Sequence, residues 1–387
     1  MPTAAERAVY LDYNATAPVR PAVIEALTAV LAEGGNPSAV HASGRRARLV
    51  VEEARRHVAA FLGASPEQVV FTGGGTEANN LAIRGQPSRH LILSAIEHDS
   101  IAAFAGVSDF RVDIAGVGGD GIVDLADMEE KLSATGGDGV LVALMLANNE
   151  TGALQPVAEA AALAHRYGAR IHCDAVQAAG KIALDFTALG VDSMAISAHK
   201  IGGPQGVGAL LLSPVAGIIP QLTGGGQEKG RRSGTENVAG IAGFGVAAGL
   251  AGQGLDDFAA LAGWRDRLEA EITALCPAAR IFAATAPRLA NTSSLSMPGV
   301  SGELQVMAFD LAGVMISAGS ACSSGKVTAS GVLRAMGASP AEAGSAIRLS
   351  LGWDSREQDV DRFIGAWKDI WQRLGTAGEQ KISGIAS

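Results

Sequence analysis

The sequence predicts an α/β fold, a sheet with helices on both faces, followed by a smaller α+β domain. Three observations predict it. Short apolar runs alternate with helical segments along the chain up to about Leu255. The unusual polar residues fall at the carboxyl ends of those runs. Beyond Leu255 the alternation gives way to a long amphipathic stretch and scattered strand-like pieces. Strand, helix and strand in alternation make a sheet covered on both sides. Such sheets bind ligands beyond the carboxyl ends of their strands.

Taken in order, Arg20 to Ala32 (RPAVIEALTAVLA) has helical periodicity. Gly44 to Leu62 is a second helix, with Arg and Glu on one side and Ala, Val and Leu on the other. Val69–Phe71, His90–Leu93, Val140–Leu146, Arg170–His172, Ser193–Ile196 and Val207–Leu212 read as strands, and Ala78–Arg84 and Ala158–Tyr167 as helices between them. Asn237 to Leu255 is uncharged, but six of its residues are glycine and Asn237 and Gln253 are polar. Its drive into a bilayer is weak, so it reads as a buried helix with a small-residue face. Asp256–Leu275 is a long amphipathic helix. Thr292–Met297, Val314–Ser317 and Ala346–Leu351 are strand-like, Glu357–Leu374 is a final helix, and the tail Gly375–Ser387 reads as frayed.

Composition excludes several classes. The chain has 387 residues, 48% of them hydrophobic and 18% charged, which is incompatible with disorder and ample for a large core. A net charge of −9 leaves no positive surplus for a nucleic-acid backbone. Fifty glycines without a three-residue period exclude collagen and suggest loops that approach a ligand closely. The start, MPTAAERAVYLDYNAT, carries Glu6, Arg7 and Asp12 and no apolar core of a secretory signal. Three cysteines, Cys173, Cys276 and Cys322, are too few and too odd for a disulfide framework and fit a reducing cytoplasm. None has zinc-site spacing.

Five constellations carry possible chemistry. Thr72-Gly-Gly-Gly-Thr-Glu77 follows a strand and opens a helix, so it is a phosphate cradle or a capped tight turn. It lacks the spacing of a nucleotide P-loop or a dinucleotide site. Asp174, at the end of a buried strand, is a helix cap or the partner of a cation such as a protonated ring nitrogen. Lys200 follows an apolar strand and precedes a Gly-rich turn. It is a surface lysine, or a desolvated and therefore nucleophilic amine. Cys322 stands among small residues in Ser317-Ala-Gly-Ser-Ala-Cys-Ser-Ser-Gly325, which suits an accessible, mobile thiol better than a packing residue. Arg348, inside an apolar alternating strand, needs an anion, either a structural carboxylate or a substrate's. A phosphate turn, an Asp, a strand-end Lys and a carboxylate-binding Arg are together what pyridoxal phosphate and an amino acid require.

The segments LDYNAT, GNPSAVHASGR, TGGGTEANN, EHDSI, ANNETG, HCDAVQAAGK, SAHK, GGGQEKGRRSGTENVAG, GSACSS and AIRLSLG resemble, in order, those of the NifS/IscS-like cysteine desulfurases. That group belongs to the class V aminotransferases of pyridoxal-phosphate fold type I. The resemblance implies a large cofactor domain over residues 13–254. It implies a small domain of residues 1–12 and 255–387, which carries a catalytic-cysteine loop at about 317–331. It implies Lys200 as the Schiff-base lysine, Asp174 on the pyridine nitrogen, His98 stacked on the ring as an acid/base, and Asn149 and Gln177 near the ring hydroxyl. Gly75, Thr76, Ser197 and His199 would hold the phosphate, and Thr235 would reach the phosphate of a neighbouring subunit in a homodimer. Arg348, with Asn149, would bind the substrate carboxylate, and Cys322 would take sulfur from L-cysteine as a persulfide, leaving L-alanine. The loop with Asn36 and His41 would lie near the site.

An iron–sulfur scaffold or a sulfur carrier would then accept the sulfur. Other members, a selenocysteine lyase or an aminotransferase, are the alternative reading. Gln205, Lys326 and Val327 depart from the family's usual residues, and the tail differs from a scaffold-docking one.

Overall fold

The computed structural model describes residues 8–137, 139–318 and 330–375. Cys322, Lys326 and Val327, and the tail beyond Gly375, lie outside them.

The chain opens with β1 (Val9–Tyr10), α1 (Pro21–Glu33) and α2 (Ala42–Phe61). Pro21 starts α1 at a position where its missing N–H costs nothing. There follow β2 (Val69–Thr72), α3 (Gly75–Arg84), β3 (His90–Ser94), α4 (Asp99–Ala102), β4 (Arg111–Ala115), α5 (Leu125–Thr135), β5 (Val140–Met145), α6 (Val157–Arg166), β6 (Arg170–Asp174), α7 (Phe186–Leu189), β7 (Ser193–Ser197) and β8 (Gly208–Leu212). Strands β2 to β8 form one sheet in the order β2-β8-β7-β6-β5-β3-β4. It is mainly parallel, with β8 antiparallel to both its neighbours. Every residue of β5, β7 and β8 is buried, as expected where helices cover both faces.

Helix α8 (Val238–Gln253) follows, then α9 (Leu255–Leu275). Among the described residues no single helix is long and apolar enough to cross a membrane. α8 instead packs against α2 and α1. Its glycines make this possible: a Cβ on Gly245 would come within 2.7 Å of the Ala54 backbone.

The last part holds β9 (Thr292–Ser296), α10 (Gly302–Leu311), β10 (Val314–Met315), β11 (Ser317–Ala318), α11 (Gly331–Ala335), α12 (Pro340–Gly344), β12 (Ala346–Ser350) and α13 (Glu357–Ile370). β12 lies antiparallel between β11 and β9. A second apolar core, which includes Phe309, Phe363 and Trp367, fills the space between this sheet, α9, α10 and α13.

The predicted single strand Val314–Ser317 is two strands in two sheets. β10 runs parallel to β1, and after Ile316 the chain turns onto β12 as β11. The cause is the segment 9–12. Leu11 N–H donates to Met315 O on one side, and Leu11 O accepts from Ser350 N–H on the other. It therefore occupies the place where a continuous strand would have run.

Candidate active site

The site lies beyond the carboxyl ends of β5, β6 and β7. A cavity of about 270 Å³ is lined there by Gly75, Thr76, His98, Asn149, Asp174, Gln177, Ser197, His199 and Lys200, with Ala15, Asn79, Ser100, Met145, Ala147 and Val176 completing the wall. Nine sequence-predicted residues thus meet at one place, drawn from five separate segments.

Lys200 ends a 3₁₀ turn, Ala198–Lys200, that continues β7. Its Nζ donates to the backbone carbonyls of Asn14 (2.5 Å) and Ala15 (2.8 Å). The turn reverses at Gly202, whose φ of +81° suits glycine, and where a Cβ would strike the Arg20 side chain at 2.8 Å. His199 Nδ1 meets Thr16 Oγ1 at 3.1 Å. Burial first, and then the Lys200 charge, push its pKa down to about 4, so the ring is neutral near pH 7.

Asp174 ends β6. Its Oδ2 accepts from Asn79 Nδ2 (2.7 Å) and its Oδ1 from the Val176 N–H (3.0 Å). Behind it lies a buried relay. Asn79 Oδ1 meets His172 Nε2 at 2.9 Å, and His172 Nδ1 meets Ser193 Oγ at 2.9 Å. Burial pushes His172 down to about 4, so it is a neutral ring that donates from Nε2 to Asn79 and accepts from Ser193. Asn79 also donates to Ser100 Oγ (2.8 Å), which meets His98 Nδ1 at 2.8 Å. The Ser100 N–H donates to that same Nδ1 (3.1 Å), so the proton of a neutral His98 sits on Nε2.

Gly75 is the first residue of α3, where free N–H groups face an incoming anion. A Cβ there would come within 2.8 Å of Val176 Cγ2. An adjoining cleft brings together Gly75, Thr76, Ser197 and His199, the four residues expected around a phosphate, with Gly73, Gly74, Glu77, Gly206 and the unusual Gln205 beside them.

Two predicted residues lie elsewhere. Thr235 lines a separate cleft with Glu228 and Arg232. Arg348 is in the middle of β12, buried beside the cavity rather than lining it. It donates from Nη2 to Asp12 Oδ1 (2.7 Å) and from Nη1 to Asn149 O (3.1 Å). Its buried Nε has no partner among the described residues. Cys322 is outside the described residues.

Asn36 and His41 shape a turn, with Asn36 Oδ1 accepting from Ser38 N–H and His41 capping α2. Cys173 is buried, and its thiol is pushed far up by burial, with the Asp174 and Glu97 charges adding to the shift. That makes it inert. Cys276 is also buried.

Asp12, Asn14, Asn79, Glu97, Glu150, His172 and Lys181 are polar residues around the site that the sequence did not single out. Glu150 accepts from Ser330 Oγ (2.5 Å), the cap of α11, and burial pushes its carboxyl up to about 7 against the pull of Ser330 and Arg348.

A family model described as aminotransferase class-V matches residues 9–363. The chain belongs to the class-V aminotransferase family. Among curated members it is 41% identical over 370 residues to an IscS-like cysteine desulfurase of Mycobacterium tuberculosis, covering 92% of this chain and 94% of that one. It is 38% identical over 387 residues to the cysteine desulfurase IscS of Dictyoglomus turgidum, covering 97% and 98%. Among solved structures, a NifS-like protein from Rickettsia africae matches with a TM-score of 0.89 and 36% identity, over 95% of this chain and all (100%) of that one. SspA in complex with cysteine matches with a TM-score of 0.76 and 31% identity, over 88% and 98%. The activity that this class-V chain carries is that of a cysteine desulfurase.

Proposed function

We propose that the enzyme holds pyridoxal phosphate in the Lys200 cavity and moves sulfur from L-cysteine to Cys322. The observation that carries this reading is the convergence of an amine, a carboxylate and a helix N-terminus on one small cavity: Lys200, Asp174 and Gly75–Thr76. The donor set supports the cofactor. Asp174 accepts from neutral groups and has charge to offer a protonated ring nitrogen. The glycine cradle at Gly75 has room for an anion but not for a side chain.

In this reading Lys200 anchors the cofactor and moves the proton at the substrate Cα. Gln177 would face the ring hydroxyl, and Gly75, Thr76, Ser197 and His199 would hold the phosphate. His98 would cover the ring and serve as an acid/base through Nε2, while Arg348 and Asn149 would fix the substrate carboxylate. The cofactor supplies an electron sink for the bonds at the substrate Cα. The Cβ–S bond of cysteine breaks and an S–S bond forms at Cys322, so cysteine plus thiol become L-alanine plus persulfide with no external oxidant or reductant.

A homodimer belongs to the proposal: the family resemblance implies that Thr235 reaches the neighbouring subunit's phosphate, and Thr235 does not line its own subunit's Lys200 cavity. So does an acceptor protein, an iron–sulfur scaffold or a sulfur carrier, which draws off the persulfide. A cytoplasmic setting suits a thiol that must stay reduced between turnovers.

The test is L-alanine release from L-cysteine, with a reductant, in wild type and Cys322→Ala. Alanine from wild type alone supports the reading. Alanine from both keeps the cofactor site but removes Cys322 from the chemistry and favours a lyase. None from either, in protein with the cofactor's visible band, overturns the choice of substrate.

A further inference from the structure

Behind the cavity wall lies a second lysine. Lys181 stands four residues after Gln177, in the turn that follows β6, and is 5% exposed. No carboxylate among the described residues pairs with it. Its Nζ donates instead to two neutral oxygens, Asn14 Oδ1 (2.6 Å) and Gln177 Oε1 (2.8 Å). The charged groups that act on it are Lys200 and Arg348, both cations. Asp12 is engaged with Arg348, and Asp174 with Asn79 and Val176. Burial, with those two like charges, holds the Lys181 amine far below its ordinary value. Two neutral acceptors fix the direction of the amine's N–H groups.

Asn14 is the shared anchor. Its backbone oxygen accepts from both Gln177 Nε2 (2.9 Å) and Lys200 Nζ (2.5 Å). Its carboxamide is fixed by Lys181, Asn291, Thr292 and the Asn149 carbonyl. Gln177 therefore has one allowed orientation. Turned over, its NH₂ would face the Lys181 donor and its oxygen would face the Asn14 carbonyl. Held as it is, Gln177 spends one Nε2 hydrogen on Asn14 and has the other for the cavity it lines.

We propose that Lys181 is a positioning residue that locks Gln177 as a hydrogen-bond donor toward the oxygen of the cofactor's ring hydroxyl. This rests on the reading of the cavity as a pyridoxal-phosphate site. A fixed donor favours the ring oxygen as an anion. It counts for most once the nitrogen that joins Lys200 to the cofactor has lost its proton, because the oxygen then carries its charge uncompensated. Lys181 thereby lowers the pH at which the bound cofactor's visible band titrates.

The experiment is a pH titration of that band in the holoenzyme of wild type, Lys181→Met and Lys181→Gln. Lys181→Met frees Gln177 to turn over and raises the midpoint by about one pH unit. Lys181→Gln has N–H groups but no ionisable amine, and stays at the wild-type midpoint. If Lys181→Met does not fold, Lys181→Ala is read in its place. An unmoved midpoint in Lys181→Met overturns the proposal. So does an equal shift in both variants, which would make charge rather than orientation the cause. A wild-type chain that forms no visible band with pyridoxal phosphate overturns the cofactor reading, and this inference with it.

Discussion

Asp174 and Arg348 are both charged groups on buried strands beside the cavity, and the fold holds them in opposite ways. Asp174 accepts from a carboxamide and a backbone N–H, both neutral. Arg348 already has a counter-ion, Asp12, at 2.7 Å. On the proposed reading the anion's charge is kept for a cation that arrives with the cofactor, whereas the cation's charge is answered within the chain. On the same reading a substrate carboxylate would join an existing ion pair instead of meeting a bare guanidinium. That is a way to bury a cation without the penalty of leaving it alone when no substrate is present.

The comparison breaks most visibly at Asp174. Asp174→Asn keeps the shape and the link to Asn79 but has no charge for a ring cation. Alanine release should fall on the order of a hundredfold or more, mostly in kcat. If turnover survives within a few fold, the charge is not what the cavity uses. Arg348→Met comes next. KM for L-cysteine should rise about thirtyfold or more while kcat falls less, because the lost contact serves the ground state and transition state alike. An unchanged KM would remove Arg348 from substrate binding.

Asp12→Asn sharpens the contrast. It strands the Arg348 charge and should destabilise the chain by about 3 kcal/mol in thermal or urea unfolding. Adding L-alanine, which brings a carboxylate, should recover more stability in the variant than in wild type. An equal recovery would mean that the two carboxylates do not share the guanidinium.

The smallest effect concerns what keeps a second anion away from Asp174. Glu97 accepts from Ser94 Oγ and Met145 N–H on Oε1, and its buried Oε2 has no partner among the described residues. Burial pushes its carboxyl up to about 8; Ser94 and Met145 pull it back, and the Asp174 charge adds to the rise. The folded chain then holds a proton that the unfolded chain releases near pH 4.5. This part of the stability is complete below about pH 4.5 and is lost as pH rises through about 8. Glu97→Gln is neutral at every pH, so it should gain about 2 kcal/mol on wild type between pH 5 and about pH 6.5. A constant gap between the two unfolding curves would refute the raised pKa.

Much of this was legible in the sequence. The strands from Val69 to Leu212 other than β4 could be read from apolar runs, and Asp174 and Lys200 from the cost of placing charge at strand ends, whereas His98, Asn149, Gln177, Ser197 and His199 came only from the family resemblance. The supporting residues were not legible. Asn79 has a weak signal: it lies four residues beyond Gly75, hence on the same face of α3. Lys181 stands at the same spacing from Gln177, but a lysine in a Gly-containing turn reads as solvated. Asp12 and Asn14 act on residues more than 160 positions away, and no local pattern reports such a contact. β4, α5 and α10 were passed over. The residues of β4 are mostly half-buried or exposed, which leaves no apolar run to notice.

The segment from Val9 to Ala15 has one more consequence, for the order of assembly. It leaves the ribosome before the sheet, yet its partners emerge after the sheet: Val314 and Met315 beside β1, and Ser350, whose Oγ accepts from the Asn14 N–H. The seven-stranded sheet can form from residues 69–212 while the carbonyls that hold Lys200 are still undocked. A nascent chain arrested short of Ser350 would carry the lysine without its anchor, and only release of nearly the whole chain would switch the site on.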